Sequence, residues 1–182
     1  MGAGFPAVPR SVRVSDPYLR PESRRGGPAR PVGTTRKTLS PGPGQAVGRP
    51  LRILFACVGN AARSPMAQAF ARSIGGSRVD ARSGGSRPAR AVAPEAVAVM
   101  AEKGIDLSGH ACQGFDEDWV RGECDLVVTL AAGAEAVPAF AGKPLEAWDV
   151  PDPRGRPIEE YRRLRDQLEH RVSQLLAERG IL

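Results

Sequence analysis

The chain has 182 residues, 26 basic and 20 acidic side chains, a formal net charge of +6 and three cysteines. That length fits one ordinary domain with a tail, and no stretch approaches the roughly 20 apolar residues of a membrane-spanning helix. Three scattered cysteines do not make a disulfide framework, so a reducing compartment, the cytoplasm, is expected.

The charge is unevenly spread. Residues 1–50 carry nine basic and two acidic side chains, which leaves 17 basic and 18 acidic for residues 51–182. The first 50 residues also hold eight glycines and nine prolines, with no apolar periodicity. Such a segment cannot bury enough surface to offset the entropy of ordering it, so a disordered basic tail is expected over 1–50. Met1 to Pro9 has neither the apolar nor the basic region of a secretory signal. The folded part, 51–182, is near neutral, and neither nucleic acid nor membrane is read as its partner.

From Leu51 the texture changes. Arg52 to Ala56 is a short apolar run suited to a strand buried on both faces. Cys57 to Arg63 reads as a compact loop. Ser64-Pro65 then opens a helix to about Ile74, with Ser64 as N-cap and Gly75-Gly76 as the stop. Val79 to Arg82 is expected as a second strand, and Ser83-Gly84-Gly85-Ser86 as the loop after it. Pro94 starts a second helix ended by Gly104. A helical turn near Asp116–Arg121 precedes a third strand, Asp125–Leu130. Ala131 to Phe140 is alanine-rich and expected to be helical. Pro144 to Trp148 is a weaker fourth strand. Ile158, Tyr161, Leu164, Leu168, Val172, Leu175 and Leu176 form one stripe of a long terminal helix. Strands alternating with helices imply an α/β three-layer sandwich, a parallel sheet covered on both faces. Ligands in such sheets bind beyond the carboxyl ends of the strands. Cys57 and the Asp149–Pro153 loop both leave strands at that edge.

The loop Cys57-Val58-Gly59-Asn60-Ala61-Ala62-Arg63-Ser64 carries the chemistry. A loop between a buried strand and a helix start turns backbone N–H groups inward, an anion cradle at the positive end of the helix dipole. Val58, Gly59, Asn60, Ala61, Ala62 and Ser64 are the expected oxyanion-binding residues. Gly59 lets the chain turn tightly, while Asn60 tolerates left-handed geometry and braces the loop with its amide. Arg63 is suited to clamp two oxygens of a tetrahedral oxyanion. Cys57 at the mouth of this field is set up as a thiolate nucleophile, with Ser64 donating its hydroxyl to the sulfur.

Cys57 to Ser64, the following Pro65-Met66-Ala67 and the late Asp152-Pro153 resemble the low-molecular-weight protein tyrosine phosphatase and arsenate reductase superfamily, over about residues 51–180. The resemblance implies a four-stranded parallel sheet of order 2-1-3-4. It also implies Cys57 as nucleophile, Arg63 as oxyanion clamp and Asp152 as general acid; by position alone, Asp149 on the same loop is the rival acid. No cofactor or metal is implied.

Two branches of the superfamily remain open. The phosphatases resemble one another in placing aromatic residues after the second strand and directly after the Asp-Pro pair. Here Ser83 to Arg90 and Arg154-Gly155-Arg156 contain none, which suits a small ring-free oxyanion. Val92–Val97, Gly104–Ser108 and Trp148–Pro153 are more similar to arsenate reductases. Thioredoxin-coupled arsenate reductases, however, resolve the arsenic adduct with further cysteines, where this chain has Ala62 and Ala131. Cys124 lies at the wrong edge of the sheet, and Cys112 in a loop. The reading is therefore transfer of arsenate to an external small thiol, with a glutaredoxin-like reductant. The alternatives are phosphomonoester hydrolysis on a phosphoprotein, for which Ser64-Pro65 speaks, and a non-catalytic oxyanion-binding module. His110 and His170 lack a chelating partner and read as structural. Trp148 is expected to pack in the core and flank the mouth of the site.

Overall fold

The computed structural model describes residues 48–132 and 137–182. Four parallel strands, β1 (Leu51–Cys57), β2 (Val79–Gly85), β3 (Leu126–Thr129) and β4 (Leu145–Ala147), form one sheet of order β2-β1-β3-β4. Among the described residues, four α-helices complete the fold: α1 (Arg63–Gly75), α2 (Pro94–Ala101), α3 (Glu117–Gly122) and α4 (Ile158–Glu178). The expected order 2-1-3-4 holds. Residues 1–47 and 133–136 lie outside the described residues, and with them most of the expected tail.

The period of two along β1 divides the core. Ile53, Phe55 and Cys57 face one layer, with Met66 and Phe70 of α1, Val99 and Met100 of α2, and Leu164, Leu168 and Val172 of α4. Leu54 and Ala56 face the other, with Trp119, Val120, Cys124 and Phe140. A strand covered on both faces must be apolar at every position, and that is why this run was legible. Among the described residues, no helix is long and apolar enough to cross a membrane.

The element ends depart from expectation in three places, each for a physical reason. Helix α1 begins at Arg63 after Ala62, and Ser64 does not cap it. The Ser64 hydroxyl turns instead to the Cys57 sulfur, 2.9 Å away. Strand β2 continues three residues past Arg82, pairing Ser83, Gly84 and Gly85 with Phe55, Ala56 and Cys57. Here the glycines allow close approach, where a turn was expected. A Cβ on Gly84 would meet Phe115 at 2.7 Å, and one on Gly85 would sit 2.8 Å from the Asn60 nitrogen. Of the expected helix over 131–140, part lies outside the described residues, and Pro138–Phe140 is a single 3₁₀ turn. The turn near 116–121 is α3, capped by the Asp116 carboxylate, which accepts from the Trp119 N–H at 3.1 Å.

Candidate active site

The segment 57–64 crosses the carboxyl edge of the sheet with its carbonyls held outward. The N–H groups of Ser86, Arg87, Ala89 and Ala93 donate to the carbonyls of Cys57, Val58, Gly59 and Ala61 at 3.1, 2.9, 2.8 and 2.8 Å. Among the described residues, the amides of Val58, Gly59, Ala61 and Ala62 donate to no backbone carbonyl. Carbonyls tied on one side leave the donors for the other, which makes a nest for an anion beside the start of α1. Residues 86–93, for which the sequence predicts no element beyond the loop ending at Ser86, are the strap that sets this orientation.

Asn60 is the keystone of the loop. It is fully buried and has φ 50°, the left-handed region that asparagine tolerates. Its Nδ2 donates to Ser64 Oγ at 2.9 Å and to Ser83 Oγ at 2.8 Å. Its Oδ1 accepts from the Gln113 N–H at 3.0 Å. Because Asn60 donates to Ser64, the Ser64 proton is available for the Cys57 sulfur. That sulfur also accepts from the Asn60 N–H at 3.2 Å. Donors therefore converge on a cysteine that is 2% exposed. Gly59 does not take a positive φ. What its missing side chain provides is room, since a Cβ there would lie 3.0 Å from Arg154 Nη2.

Arg63 is buried, and its Nη1 donates to the carbonyls of Leu130 and Val150, each at 3.1 Å. These two bonds fix the guanidinium plane. Its Nη2 meets Asp152 Oδ2 at 3.0 Å, so two segments 89 residues apart join at this edge. Asp152 Oδ1 accepts from the Arg154 N–H at 3.1 Å, and the side chain stays 44% exposed. Cys57, Gly59, Ala61, Ala62, Arg63 and Asp152 line one cavity of about 30 Å³ together with Ala93, Arg154 and Tyr161. Val58, Asn60 and Ser64 are not part of that lining. Asp149 is exposed and also lies outside it.

Residues 52–180 match the family described as low molecular weight phosphotyrosine protein phosphatase. The chain belongs to this family. A glutaredoxin arsenate reductase of Synechocystis is 34% identical over 128 residues, which are 69% of this chain and 96% of that protein. Among solved structures, an arsenate reductase in the phosphate-binding state is 33% identical, with a TM-score of 0.64. The match covers 70% of this chain and 97% of that one. The arginine phosphatase YwlE from Geobacillus stearothermophilus is 30% identical with a TM-score of 0.63, covering 72% and 94%. These relatives are enzymes, and so is this member of the family.

Several residues of this phosphatase-family site were not legible beforehand. His110 takes a structural hydrogen bond at the anion loop, its Nε2 lying 3.2 Å from Asn60 Oδ1. Burial first, and then the Arg72 charge, hold its imidazole below the ordinary value. Tyr161 was read as part of the α4 stripe and is buried there, yet it also lines the cavity. Burial raises its hydroxyl pKa, with the Glu95 and Asp152 charges adding to the effect and Arg154 opposing it. Trp148 packs against Phe55, with ring centroids 6.1 Å apart, and does not line the cavity. Cys112 lies beside Gln113 on the segment bonded to Asn60. Burial raises its thiol pKa, and the nearby Cys57 adds to that. Only Gly84-Gly85 and Arg154 carried a signal: a glycine pair closing a strand, and a charge directly after Asp-Pro.

Proposed function

We propose that this enzyme transfers arsenate to an external small thiol, with Cys57 as nucleophile, Arg63 as oxyanion clamp and Asp152 as general acid. The single observation that carries the reading is the cavity above Cys57. It is small, it sets Arg63 and Asp152 beside Cys57 as a tetrahedral oxyanion needs, and a cation, Arg154, stands at its mouth. The reductase names among the relatives support the same reading.

In this mechanism Arg63 and the loop amides hold three arsenate oxygens and neutralise their charge. The Cys57 thiolate attacks arsenic in line, and the leaving hydroxide takes a proton from Asp152 and departs as water. The external thiolate then attacks arsenic, forms a sulfur–arsenic bond and releases Cys57. Arsenic is still As(V) in that adduct. A second thiol, of glutaredoxin type, attacks the adduct's sulfur. A disulfide forms, and the two electrons reduce arsenic to As(III), released as arsenite.

The second reading is phosphomonoester hydrolysis, which Tyr161 favours because it supplies an aromatic edge to the cavity. The deciding experiment compares arsenate-dependent consumption of several thiols with aryl-phosphate hydrolysis on the purified enzyme. Thiol consumption without hydrolysis supports arsenate transfer, and hydrolysis without thiol consumption ends that reading. Asp152→Asn is expected to lower turnover about 10²-fold for aryl phosphates with poor leaving groups, and much less for good ones. Equal losses across leaving groups would remove Asp152 as the acid.

A further inference from the structure

The cavity above Cys57 is lined by two cations in very different situations. Arg63 is 8% exposed and held by two carbonyls and Asp152, which take three of its five N–H donors. Arg154 is 68% exposed, and among the described residues its nearest charged partner is Asp152 Oδ2 at 4.0 Å. Its guanidinium lies over Gly59, where a Cβ would come within 3.0 Å of Nη2. The head group is therefore seated on the anion loop, at the rim, with donors left for a further acceptor. Arg63 is placed for the oxyanion itself; Arg154 is placed for whatever approaches or leaves it.

We propose that Arg154 binds a carboxylate on the group that exchanges with the oxyanion, so that the co-substrate of this enzyme is an anionic thiol. The inference rests on the arsenate-transfer reading and names the class of thiol. A guanidinium offers a planar pair of N–H donors that matches a carboxylate, and a neutral thiol leaves that pair unused. Exposure and the neighbouring Asp152 charge screen the interaction, so a preference of about five- to tenfold is expected, not a thousandfold one. The backbone N–H of Arg154, which donates to Asp152, is unaffected by substituting the side chain.

The test uses 3-mercaptopropionate and its amide, two thiols of one size that differ by a carboxylate, as acceptors in arsenate-dependent turnover. The native enzyme is expected to favour the carboxylate about five- to tenfold in kcat/KM, through KM. Arg154→Met is expected to bring that ratio close to one, and Arg154→Lys to restore most of it. A native ratio near one overturns the proposal. So does an Arg154→Met enzyme that slows both thiols alike, because Arg154 then acts only by positioning Asp152. If the native enzyme consumes neither thiol, the arsenate reading has failed, and the anionic-thiol proposal fails with it. Turnover of 4-carboxyphenyl and 4-carbamoylphenyl phosphate then decides the residue separately. A carboxylate preference lost in Arg154→Met keeps Arg154 as the carboxylate site of a phosphatase, and equal rates in both enzymes end that role too.

Discussion

Cys57 and Cys124 are both buried beside the same sheet, at 2% and 3% exposure, yet their surroundings have opposite polarity. At the carboxyl edge the Cys57 sulfur is met by the Asn60 N–H and the Ser64 hydroxyl. At the amino edge the Cys124 sulfur donates to the Leu126 carbonyl at 3.1 Å and lies 3.8 Å from the Arg52 carbonyl. Burial is the main cause that pushes the Cys124 thiol up. A parallel sheet produces this asymmetry. Strands end facing helix N-termini at one edge, and helices end at the other. Which groups a buried sulfur meets follows from the edge it occupies, not from its depth.

The sharpest way to break that comparison is to exchange the two thiols for inert side chains. Cys57→Ala is expected to lower turnover at least about 10³-fold while leaving the fold intact. Cys124→Ala should keep turnover and cost about 1–2 kcal/mol in urea unfolding. Cys112→Ala is expected to keep turnover as well, since the proposed transfer needs no second protein thiol. A large activity loss in either of the latter variants would show that a second cysteine takes part.

A methyl group probes the edges next. Gly85→Ala drives a Cβ against the Val58 carbonyl and to 3.0 Å from the Gly59 carbonyl carbon, and all the neighbours are backbone. A cost of about 2–4 kcal/mol and weakened phosphate binding are expected, measured by urea unfolding and calorimetry. Gly122, at the end of α3 before Cys124, has nothing within 4 Å of its would-be Cβ. Gly122→Ala should stay within about 0.5 kcal/mol of the native protein. Equal effects at the two glycines would mean the anion loop is not held as tightly as the geometry requires.

The same asymmetry sets what could be read from the chain. Strand β1, the nest and Arg63 were legible because an apolar run, a loop and a helix start follow one another within 13 residues. Asp152 needed the topology to bring it back to the edge, and the resemblance to select it over Asp149. Tyr161 was hidden because a buried residue on a helical stripe looks the same whether its far edge meets more core or a cavity. His110 carried no local signal, since its partner Asn60 is 50 residues away and the contact exists only once the 107–113 segment folds over the loop. Strand β2 was cut short because Ser-Gly-Gly reads as a turn until the loop that fills the missing side chains' space is known.

The smallest expected effect lies at the far end of α2. This helix starts beside the anion loop, where the Ala93 N–H holds the Ala61 carbonyl at 2.8 Å, and ends at Ala101 with Glu102 as its C-cap. There Glu102 accepts from Arg162 at 2.7 Å and from Arg165 at 2.6 Å, tying α2 to α4. Hydrogen bonds from Arg162 and then Arg165 lower its pKa from 4.5 to about 2. Because the folded value is depressed, the ionised pairs contribute fully above 4.5 and are lost as the pH falls toward about 2. Native protein and Glu102→Gln should therefore differ in urea midpoint at neutral pH, and the gap should close across that acidic window. Both pairs are solvent-exposed at Glu102, so the gap is expected to be small and to shrink with salt. Since Glu102 lies a helix length from Cys57, kcat/KM at neutral pH should stay within about twofold of native. A pH-independent gap would mean that Glu102 holds α2 by packing and not by charge. A large loss of turnover would mean that the two ends of α2 are coupled, and that the chemistry is not confined to the carboxyl edge.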